Sequence, residues 1–440
     1  MQSSNRAGES AIAQVESLSH DGRGVAHIDG KATFIAGGLP GEEVRIHYTL
    51  RRRNLDEAEV VEVLKASPER VTPRCPQFGV CGGCSLQHLA SEGQIRAKQQ
   101  ALLDALKHIG RVEPDELLAP LVGPSPWGYR RKARLGIKYV LKKGRVLVGF
   151  RERGSALVTD LARCDTLHPQ VGEILHPLAE LIGGLSIRDR VPQIEVAVGD
   201  EACVLVFRIL APLSGEDRRR LLAFGEEHAI YIYQQEGGVT SLRPLGEPAP
   251  ELAYSLPEFG VKVRFQPTDF TQVNGELNRL MVHRALELLD PRPEDRILDL
   301  FCGLGNFTLP LATRCNQVVG VEAEAGLIRR ARENAALNGL ENLRYFTVDL
   351  YKPLDKEPWL RERFNKILLD PPRTGAVEVV NHLPALGAGR ILYVSCYPGT
   401  LARDAHDLVH RLGYRLVSAG VMDMFPHTVH VESLALFERG

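Results

Sequence analysis

The sequence lacks the features of an exported or membrane-bound protein. No apolar run approaches the ~20 residues that a bilayer-spanning helix needs, and the first ten residues are polar, without the apolar stretch of a signal peptide. We therefore expect a cytoplasmic protein with no membrane partner. In that reducing compartment, metal binding or catalysis explains the eight cysteines better than disulfides do.

Net charge is also nearly absent, at −1 for 440 residues, and it neither favours nor excludes a nucleic-acid partner. The basic residues are nevertheless unevenly distributed. Residues 127–153 hold ten Arg and Lys against one Glu, and residues 51–53 form a second basic group. A run of this kind is as often a solvated surface as a binding one. A local excess within a neutral protein is, however, the pattern expected of phosphate contacts to RNA.

The N-terminal part of the chain shows an all-β pattern. Apolar and polar residues alternate at 44–50, and short strands are separated by turn signals such as Asp29-Gly30. This pattern predicts a small OB-like Greek-key barrel over residues 10–66, a fold that often binds oligonucleotides. The segments 17–27 and 39–44 resemble the TRAM domain, an RNA-binding module of RNA-modifying enzymes.

Three cysteines follow within ten residues, at Cys75, Cys81 and Cys84, and a fourth, Cys164, lies far downstream. Neighbouring glycines and a proline would let the backbone wrap a small object. Four thiolates suit either tetrahedral zinc or an iron–sulfur cluster. Structural zinc more often uses two short paired motifs, so the spacing favours [4Fe–4S] and leaves zinc as the rival. Unliganded cysteines are the less favoured interpretation.

The middle of the chain carries no chemical motif beyond its basic residues. An amphipathic helix is predicted at 94–109, with Ile109 in its apolar stripe. The basic segment predicts a β-hairpin that turns at 142–144. The remaining expected elements are strands at 194–198, 203–210 and 230–233, a helix at 216–228 and a linker at 244–257.

From residue 269 onward, strands and helices alternate, which predicts a doubly wound parallel sheet. The first strand, 296–300, runs into Gly303-x-Gly305, where backbone can approach a ligand closely. The second strand ends in Glu322, placed to bind ribose hydroxyls, and the third ends before Asp349, which could meet an adenine amino group. Because the third glycine of dinucleotide binders is missing, an NAD domain is the weaker alternative. The arrangement resembles the S-adenosylmethionine-binding sheet of class I methyltransferases.

The fourth and fifth strands end in reactive groups. Asp370 is followed by two prolines and by Arg373, where amine methyltransferases carry an aromatic residue. The fifth strand ends at Cys396, and a helix is expected from Leu401 with Thr400 as its N-cap. A thiol at the carboxyl end of a parallel strand lies where open α/β sheets bind ligands. Taken alone, such a cysteine is more commonly a packing residue.

Several motifs occur in one order and together resemble the RNA uridine C5-methyltransferases. They are the segments 270–274, 299–306, 369–375, 394–404 and 427–432. With the TRAM-like barrel and the four cysteines, the resemblance covers essentially the whole chain and narrows to the members that methylate 23S rRNA. It implies a monomeric, multidomain α/β protein. The implied domains are TRAM at 10–68, a central iron–sulfur and RNA-binding domain at 69–92 and 126–268, and a Rossmann-like methyltransferase domain at 93–125 and 269–440.

The resemblance also implies roles for individual residues. Cys396 would be the nucleophile, Glu432 the general base, and Phe270 an aromatic near the active site. The positions that would bind S-adenosylmethionine are Gln272, Phe301, Asn306, Glu322, Asp349 and Asp370. The positions that would ligate the [4Fe–4S] cluster are Cys75, Cys81, Cys84 and Cys164. One departure is Tyr397, where the family commonly has asparagine.

The chemistry of uracil explains why a thiol and a carboxylate would be needed. Carbon 5 is a poor nucleophile until a thiolate adds at carbon 6, and a base must later remove the carbon 5 proton. The site should therefore lower the thiol pKa, with help from the following helix N-terminus. The target base must be flipped out of any helix. Three other functions are the alternatives to 23S rRNA uridine methylation. They are uridine C5 methylation at another rRNA or tRNA site, cytosine C5 methylation of RNA, and a non-catalytic RNA-binding role.

Overall fold

The computed structural model describes residues 9–354 and 356–440. The first eight residues, on which most of the signal-peptide expectation rests, lie outside this part of the chain. The described residues form two compact units. One comprises 9–98, Arg151–Thr159 and Phe425–Val429, and the other comprises Gln99–Phe150, Asp160–Met424 and His430–Gly440.

The first unit contains a small β-barrel. Its strands are β1 (Ser10–Gln14), β2 (Ser17–Leu18), β3 (Gly24–Ile28), β4 (Lys31–Ala36), β5 (Glu43–Arg51) and β6 (Leu55–Lys65). They pair in the order β1-β5-β6-β4-β3-β2. The Glu16 N–H, just after β1, donates to the Val25 carbonyl of β3 at 2.8 Å, which closes the sheet on itself. The predicted alternation in β5 is confirmed, because Val44, Ile46 and Tyr48 lie in the barrel core.

A buried ion pair joins the barrel to the segment that follows it. The Glu42 side chain is fully buried, and the Arg70 guanidinium donates to its two carboxylate oxygens at 2.6 and 2.7 Å. The backbone N–H groups of Leu39 and Ser67 also donate to it. Burial alone would raise the pKa of Glu42, but these hydrogen bonds outweigh burial and lower it. The carboxylate therefore stays charged inside the protein.

The helix α1 (Ser91–Ala105) begins three residues before the predicted start and continues as a π-helical turn at Leu106–Gly110. The prediction that Ile109 joins the apolar stripe is wrong, since this side chain is 53% exposed. The wider π turn shifts the phase of the helix. Leu102 and Leu106 are buried in the core of the C-terminal sheet described below.

A mixed sheet forms the middle of the second unit. The short strand β7 (Glu116–Leu117), which belongs to the C-terminal sheet, comes before it along the chain. The strands of the mixed sheet are β8 (Lys132–Val140), β9 (Arg145–Gly149), β10 (Gln193–Val198), β11 (Cys203–Arg208), β12 (Tyr231–Gln235) and β13 (Arg243–Pro244). They pair in the order β13-β12-β11-β10-β8-β9. The predicted basic hairpin is confirmed as β8 and β9, which turn at Gly144 with φ +65°.

Three helices accompany this sheet, namely α2 (Pro169–Gly172), α3 (Leu175–Gly183) and α4 (Gly215–Glu227). A hairpin of β14 (Ala253–Leu256) and β15 (Val261–Arg264) comes next. The predicted linker at 244–257 is therefore partly wrong, because it contains β14. Its prolines are compatible with this structure, since Pro244 ends an edge strand and Pro257 begins a 3₁₀ turn.

The C-terminal half of the second unit is the predicted doubly wound sheet. Its strands are β16 (Arg296–Leu300), β17 (Gln317–Glu322), β18 (Leu343–Thr347), β19 (Lys366–Leu369), β20 (Arg390–Ser395), β21 (Tyr414–Met422) and β22 (Glu432–Arg439). They pair in the order β18-β17-β16-β19-β20-β22-β21, and β7 adds to the edge at β21. The first five are parallel, and β22 runs antiparallel between β20 and β21.

Helices connect these strands. They are α5 (Gly275–Leu289), α6 (Thr308–Ala312), α7 (Ala325–Leu337), α8 (Val377–Val380), α9 (Leu383–Leu386) and α10 (Pro398–His410). The helix α10 begins at Pro398 and not at Leu401, with Tyr397 at its N-cap position. Proline suits a first helical position because its missing N–H would have no partner there. The Thr400 hydroxyl instead donates to the carbonyls of Arg373 and Tyr397 at 3.2 Å.

None of the helices in the described residues has the length and apolarity needed to span a bilayer.

Candidate active site

The carboxyl ends of the parallel strands gather most of the residues that the sequence singled out. The loop 301–307 follows β16, Glu322 ends β17, Asp370 follows β19 and Cys396 follows β20. Because β16 to β20 run parallel, these ends meet at one edge of the sheet. This edge is the usual ligand site of such sheets.

The loop after β16 has the backbone that a close ligand approach requires. Phe301, Gly303 and Gly305 have φ values of +66°, +54° and +95°. The conformation at Phe301 is strained for a residue with a side chain. Its N–H donates to the Val321 carbonyl at 2.9 Å, which ties the loop to β17. A left-handed conformation held in this way is typical of a functional turn.

Glu322 shapes the same loop. One carboxylate oxygen accepts from the Gly303 N–H at 3.3 Å, and the other accepts from the N–H groups of Ala323 and Glu324 at 2.7 and 3.0 Å. A carboxylate oxygen has two lone pairs, so it can accept further bonds from a ligand hydroxyl. The carboxylate thus lies ready at the position where a ribose was expected.

Asn306 is oriented by two residues that the sequence did not point to. Its amide exchanges two hydrogen bonds of 2.9 Å with the amide of Asn278 on α5. The Tyr254 hydroxyl donates to its oxygen at 2.8 Å. Burial raises the pKa of Tyr254, so the hydroxyl keeps its proton for this bond. Tyr254 was not predicted as a site residue, because residues 244–257 were predicted to be a linker.

Asp349 and Tyr351 form the next part of the edge. The Asp349 carboxylate accepts from the Tyr351 N–H at 3.1 Å. The Tyr351 ring lies 5.9 Å from the Phe301 ring, between centroids, and its hydroxyl donates to the Gly375 carbonyl at 2.8 Å. Tyr351 therefore links the loop after β18 to the loop after β19. No sequence pattern distinguished it from an ordinary surface tyrosine.

A buried carboxylate supports the loop after β19. Asp404 on α10 is fully buried and accepts from the Tyr393 hydroxyl and the Ala376 N–H, both at 2.7 Å. Arg403 donates to Asp404 and, at 3.0 Å, to the Thr374 carbonyl. These bonds fix the backbone that carries Asp370 and Arg373. Burial raises the pKa of Asp370 to about 7.

Cys396 and Glu432 lie close to each other. In the antiparallel ladder β20–β22 the last pair is Ser395 with Ser433, and Cys396 and Glu432 are the residues that adjoin this pair. The Glu432 carboxylate lies close enough to the Cys396 thiol to raise its pKa. Cys396 is half-buried, and Glu432 is 8% exposed. The predicted nucleophile and base, which are far apart in sequence, are thus neighbours.

The thiol is protonated in the resting site. Burial raises the pKa of Cys396 to about 11, the carboxylates of Glu432 and Asp370 add to the rise, and the Arg373 guanidinium opposes it. The expectation that the site lowers the thiol pKa is therefore wrong for this state. The helix N-terminus after Cys396 does not compensate for burial and two acidic neighbours.

The segment before α5 meets the basic segment. The Arg131 N–H donates to the Val273 carbonyl at 2.8 Å, and Arg130 and Asn274 form an isolated β-bridge. Gln272 is half-buried, and Phe270 is 73% exposed. The start of the basic segment and the 270–274 motif therefore lie together, which periodicity alone could not show.

The predicted cluster ligands lie in both units. In the first unit, the Gly83 N–H donates to the Cys81 sulfur at 3.4 Å. A side chain at Gly82 would come within 2.8 Å of the Arg151 carbonyl, so the loop between Cys81 and Cys84 is tightly placed. In the second unit, Cys164 contacts the Thr166 hydroxyl at 3.3 Å. Among the described residues, no group of three or more His, Cys, Asp or Glu is arranged to hold a metal ion. The cluster stays a prediction.

The strand order, the antiparallel β22 and the glycine loop before an acidic strand end define the fold of a class I methyltransferase. A family model described as tRNA (Uracil-5-)-methyltransferase matches residues 258–440, and a TRAM domain model matches residues 8–61. The chain belongs to the RlmD family of RNA uracil-C5 methyltransferases, as near-full-length relatives show. The predicted family and the predicted TRAM domain are both confirmed.

Two relatives show the extent of the match. The Alkalilimnicola ehrlichii protein named 23S rRNA (uracil(1939)-C(5))-methyltransferase RlmD is 56% identical over 426 residues, which cover 97% of this chain and 96% of that protein. The protein of the same name from Methylococcus capsulatus is 53% identical, with 98% and 97% covered.

A solved structure shows the same fold. The Pyrococcus abyssi tRNA (uracil-54, C5)-methyltransferase, in complex with S-adenosyl-L-homocysteine, superposes with a TM-score of 0.74. At 24% identity it covers 97% of this chain and 100% of that chain.

Proposed function

We propose that this protein transfers a methyl group from S-adenosylmethionine to carbon 5 of one uridine in 23S rRNA. The observation that carries the proposal is the proximity of Cys396, which follows β20, to Glu432, which begins β22, at the sheet edge that also bears the glycine loop. A thiol and a carboxylate are the two groups that the uracil reaction needs. The names of the relatives supply the substrate class.

Cys396 acts first. Its thiolate adds to carbon 6 of the flipped uracil, and the electron pair of the 5,6 double bond moves toward the carbonyl oxygen at carbon 4 to form an enolate. The cofactor, when bound, supplies the electrophilic methyl group that carbon 5 takes. Glu432 then accepts the proton from carbon 5. The double bond re-forms, and the bond between carbon 6 and the Cys396 sulfur breaks.

The raised thiol pKa determines when this sequence can begin. With a pKa of about 11, only a small fraction of the Cys396 thiol is ionised at neutral pH in the resting site. The reactive thiolate therefore forms mainly once substrate and cofactor change the electrostatics around it. A protonated resting thiol is also less exposed to oxidation and alkylation.

The cofactor would be held along the sheet edge. We assign Gln272, Phe301, Asn306, Glu322, Asp349 and Asp370 to it. The left-handed loop at Gly303 and Gly305 leaves room for close backbone approach, and the Glu322 carboxylate can accept from ribose hydroxyls. Asn306 is already oriented by Asn278 and Tyr254, so its amide needs little ordering when a ligand binds.

The RNA would be held by the basic segment and the TRAM barrel. The hydrogen bond from Arg131 to Val273 sets the start of the basic segment beside the 270–274 motif. In the barrel, the Arg23 guanidinium lies 4.8 Å from the centre of the half-buried Phe34 ring. Arginine and aromatic surfaces of this kind suit phosphates and unstacked bases.

We also propose that Cys75, Cys81, Cys84 and Cys164 ligate a [4Fe–4S] cluster. Three thiols in one loop fit this group, and a backbone N–H directed at the Cys81 sulfur would stabilise a thiolate there. A cluster would connect loops that are distant in sequence. Iron and acid-labile sulfide analysis of anaerobically purified protein distinguishes the cluster from zinc.

Methyl transfer to unmodified 23S rRNA tests the proposal. The purified chain should add one methyl group per RNA, at carbon 5 of a uridine identified by mass spectrometry of RNA fragments. The matched variant Cys396→Ala should bind S-adenosylmethionine normally and transfer no methyl group. Transfer by Cys396→Ala at the wild-type rate would contradict the nucleophile, and methylation of a cytidine or of tRNA alone would contradict the substrate.

A further inference from the structure

The side chain of Arg373 is held in place although it lies on the surface. The guanidinium Nη2 donates to His430 Nδ1 at 2.7 Å. The backbone of the same residue is also fixed, because its carbonyl accepts from the Thr400 hydroxyl at 3.2 Å. An exposed arginine ordinarily samples many rotamers, and ordering it has an entropic cost. A residue fixed at both ends is a candidate for a precise electrostatic task.

That task is indicated by the charges around Cys396. Its acidic neighbours are Glu432 and Asp370, and both disfavour a thiolate. Arg373 is the cation that favours it. The Arg373 guanidinium keeps its charge at all relevant pH values and offers donors in a rigid fork. Its effect on the thiolate depends on its position, because electrostatic interactions fall with distance.

We propose that His430 is a positioning residue, which holds the Arg373 guanidinium beside the Cys396 thiolate and thereby favours formation of the nucleophile. This inference rests on the proposed function of Cys396. Arginine has only donors, so His430 must accept through an unprotonated Nδ1. The residue lies two positions before Glu432, and the segment that carries the base therefore also places the cation for the nucleophile.

Two substitutions at position 430 separate positioning from packing. Asparagine has an acceptor oxygen at about the same distance from the backbone as Nδ1. His430→Asn should therefore keep the hydrogen bond to Arg373, whereas His430→Leu fills similar space without an acceptor. A role in packing alone would make the leucine variant the better tolerated of the two.

The rate of iodoacetamide alkylation of Cys396 is the direct measurement. It is followed between pH 7 and 10 on the full chain, by mass spectrometry of the peptide that contains Cys396. Below its pKa the thiol should react about tenfold faster per pH unit. We expect His430→Leu to lower the rate at each pH by about three- to tenfold, as a pKa rise of roughly 0.5 to 1 would, and His430→Asn to stay within about twofold of wild type.

Arg373→Gln supplies an independent check, since it removes the cation and keeps hydrogen-bonding groups. It should slow alkylation as much as His430→Leu does, and the double variant should be no slower than either single variant. Equal alkylation in His430→Leu and wild type, or additive effects in the double variant, would overturn the proposal. Unchanged thermal unfolding and S-adenosylmethionine binding show that the variants are folded. Because alkylation needs no methyl transfer, the result is independent of the proposed substrate.

Discussion

In the proposed mechanism, Cys396 and Glu432 divide the chemistry between them. Cys396 follows β20 and Glu432 begins β22, next to the last pair of the ladder between these strands. As proposed, the thiol would form and break the bond to carbon 6, and the carboxylate would accept one proton. Their roles are separated in time, so losing either one should stop the reaction at a different stage.

Replacement of the base should trap the covalent intermediate. Glu432→Gln keeps the size of the side chain but cannot accept the carbon 5 proton, so elimination should slow by about 10²- to 10⁴-fold. After incubation with S-adenosylmethionine and 23S rRNA, a protein–RNA adduct should be visible on a denaturing gel. The double variant Cys396→Ala/Glu432→Gln should give no adduct. Turnover at the wild-type rate by Glu432→Gln would show that another group removes the proton.

Tyr397 remains the residue without a functional explanation. It caps α10 through its backbone, its ring packs against Gly399, and the side chain is 46% exposed. The cap position has an extended backbone that many residues can adopt. Nothing in the structure explains why tyrosine replaces the family's usual asparagine.

At the level of elements, the ion pair of Glu42 and Arg70 should stabilise the attachment of the segment after β6. Arg70→Met keeps the apolar stem and removes the donors, which leaves a carboxylate in a fully buried position. Removing one partner of a fully buried pair costs about 3–5 kcal/mol; because Arg70 is partly exposed, we expect about 2–3 kcal/mol. Hydrogen exchange in β5 and β6, measured with increasing urea, reports this change.

The loss of stability caused by Arg70→Met should depend on pH in a definite direction. In the wild type the pKa of Glu42 is lowered, so its stabilisation is complete above the unfolded-state pKa and is lost as the pH falls through the folded-state value. Without Arg70, burial should raise this pKa, and stability should fall as the pH rises. The difference between wild type and Arg70→Met should therefore grow from pH 3 to pH 7. When Arg70→Met is made in a Glu42→Gln background and compared with Glu42→Gln alone, this growth should be absent. A pH-independent difference between wild type and Arg70→Met would contradict the explanation.

The elements also show what sequence patterns can and cannot predict. The parallel strands are predicted nearly to the residue, because β16, β17, β19 and β20 contain buried apolar runs, such as 391–394, with a turn after each. The strand β22 is equally apolar, but periodicity contains no information on its insertion between β20 and β21. Tyr254 and Asn278 reach Asn306 from distant segments, so no local pattern could connect them to the cofactor site.

At the scale of the whole molecule, RNA affinity should depend on the basic hairpin of β8 and β9. Lys138, Lys142 and Lys143 are exposed on it. Substituting each by glutamine should reduce the slope of log affinity against log salt by about 0.7–0.9 if the lysine contacts a phosphate. Filter binding of 23S rRNA at several salt concentrations measures the slope. Lys107→Gln, an exposed lysine outside the hairpin, is the matched control. Equal slopes for the hairpin variants and the control would exclude the hairpin from the RNA interface.

The proposed reacting groups and the proposed RNA-binding groups lie on different elements of the fold. Cys396 and Glu432 adjoin the end of a ladder inside the sheet, where the side chains of both strands are buried on both faces. The groups that would choose the RNA lie instead on the hairpin and the barrel. We therefore expect substitutions on the hairpin and the barrel to change RNA binding without changing the methyl-transfer steps. A lineage could therefore change its target repeatedly while inheriting one unaltered reaction.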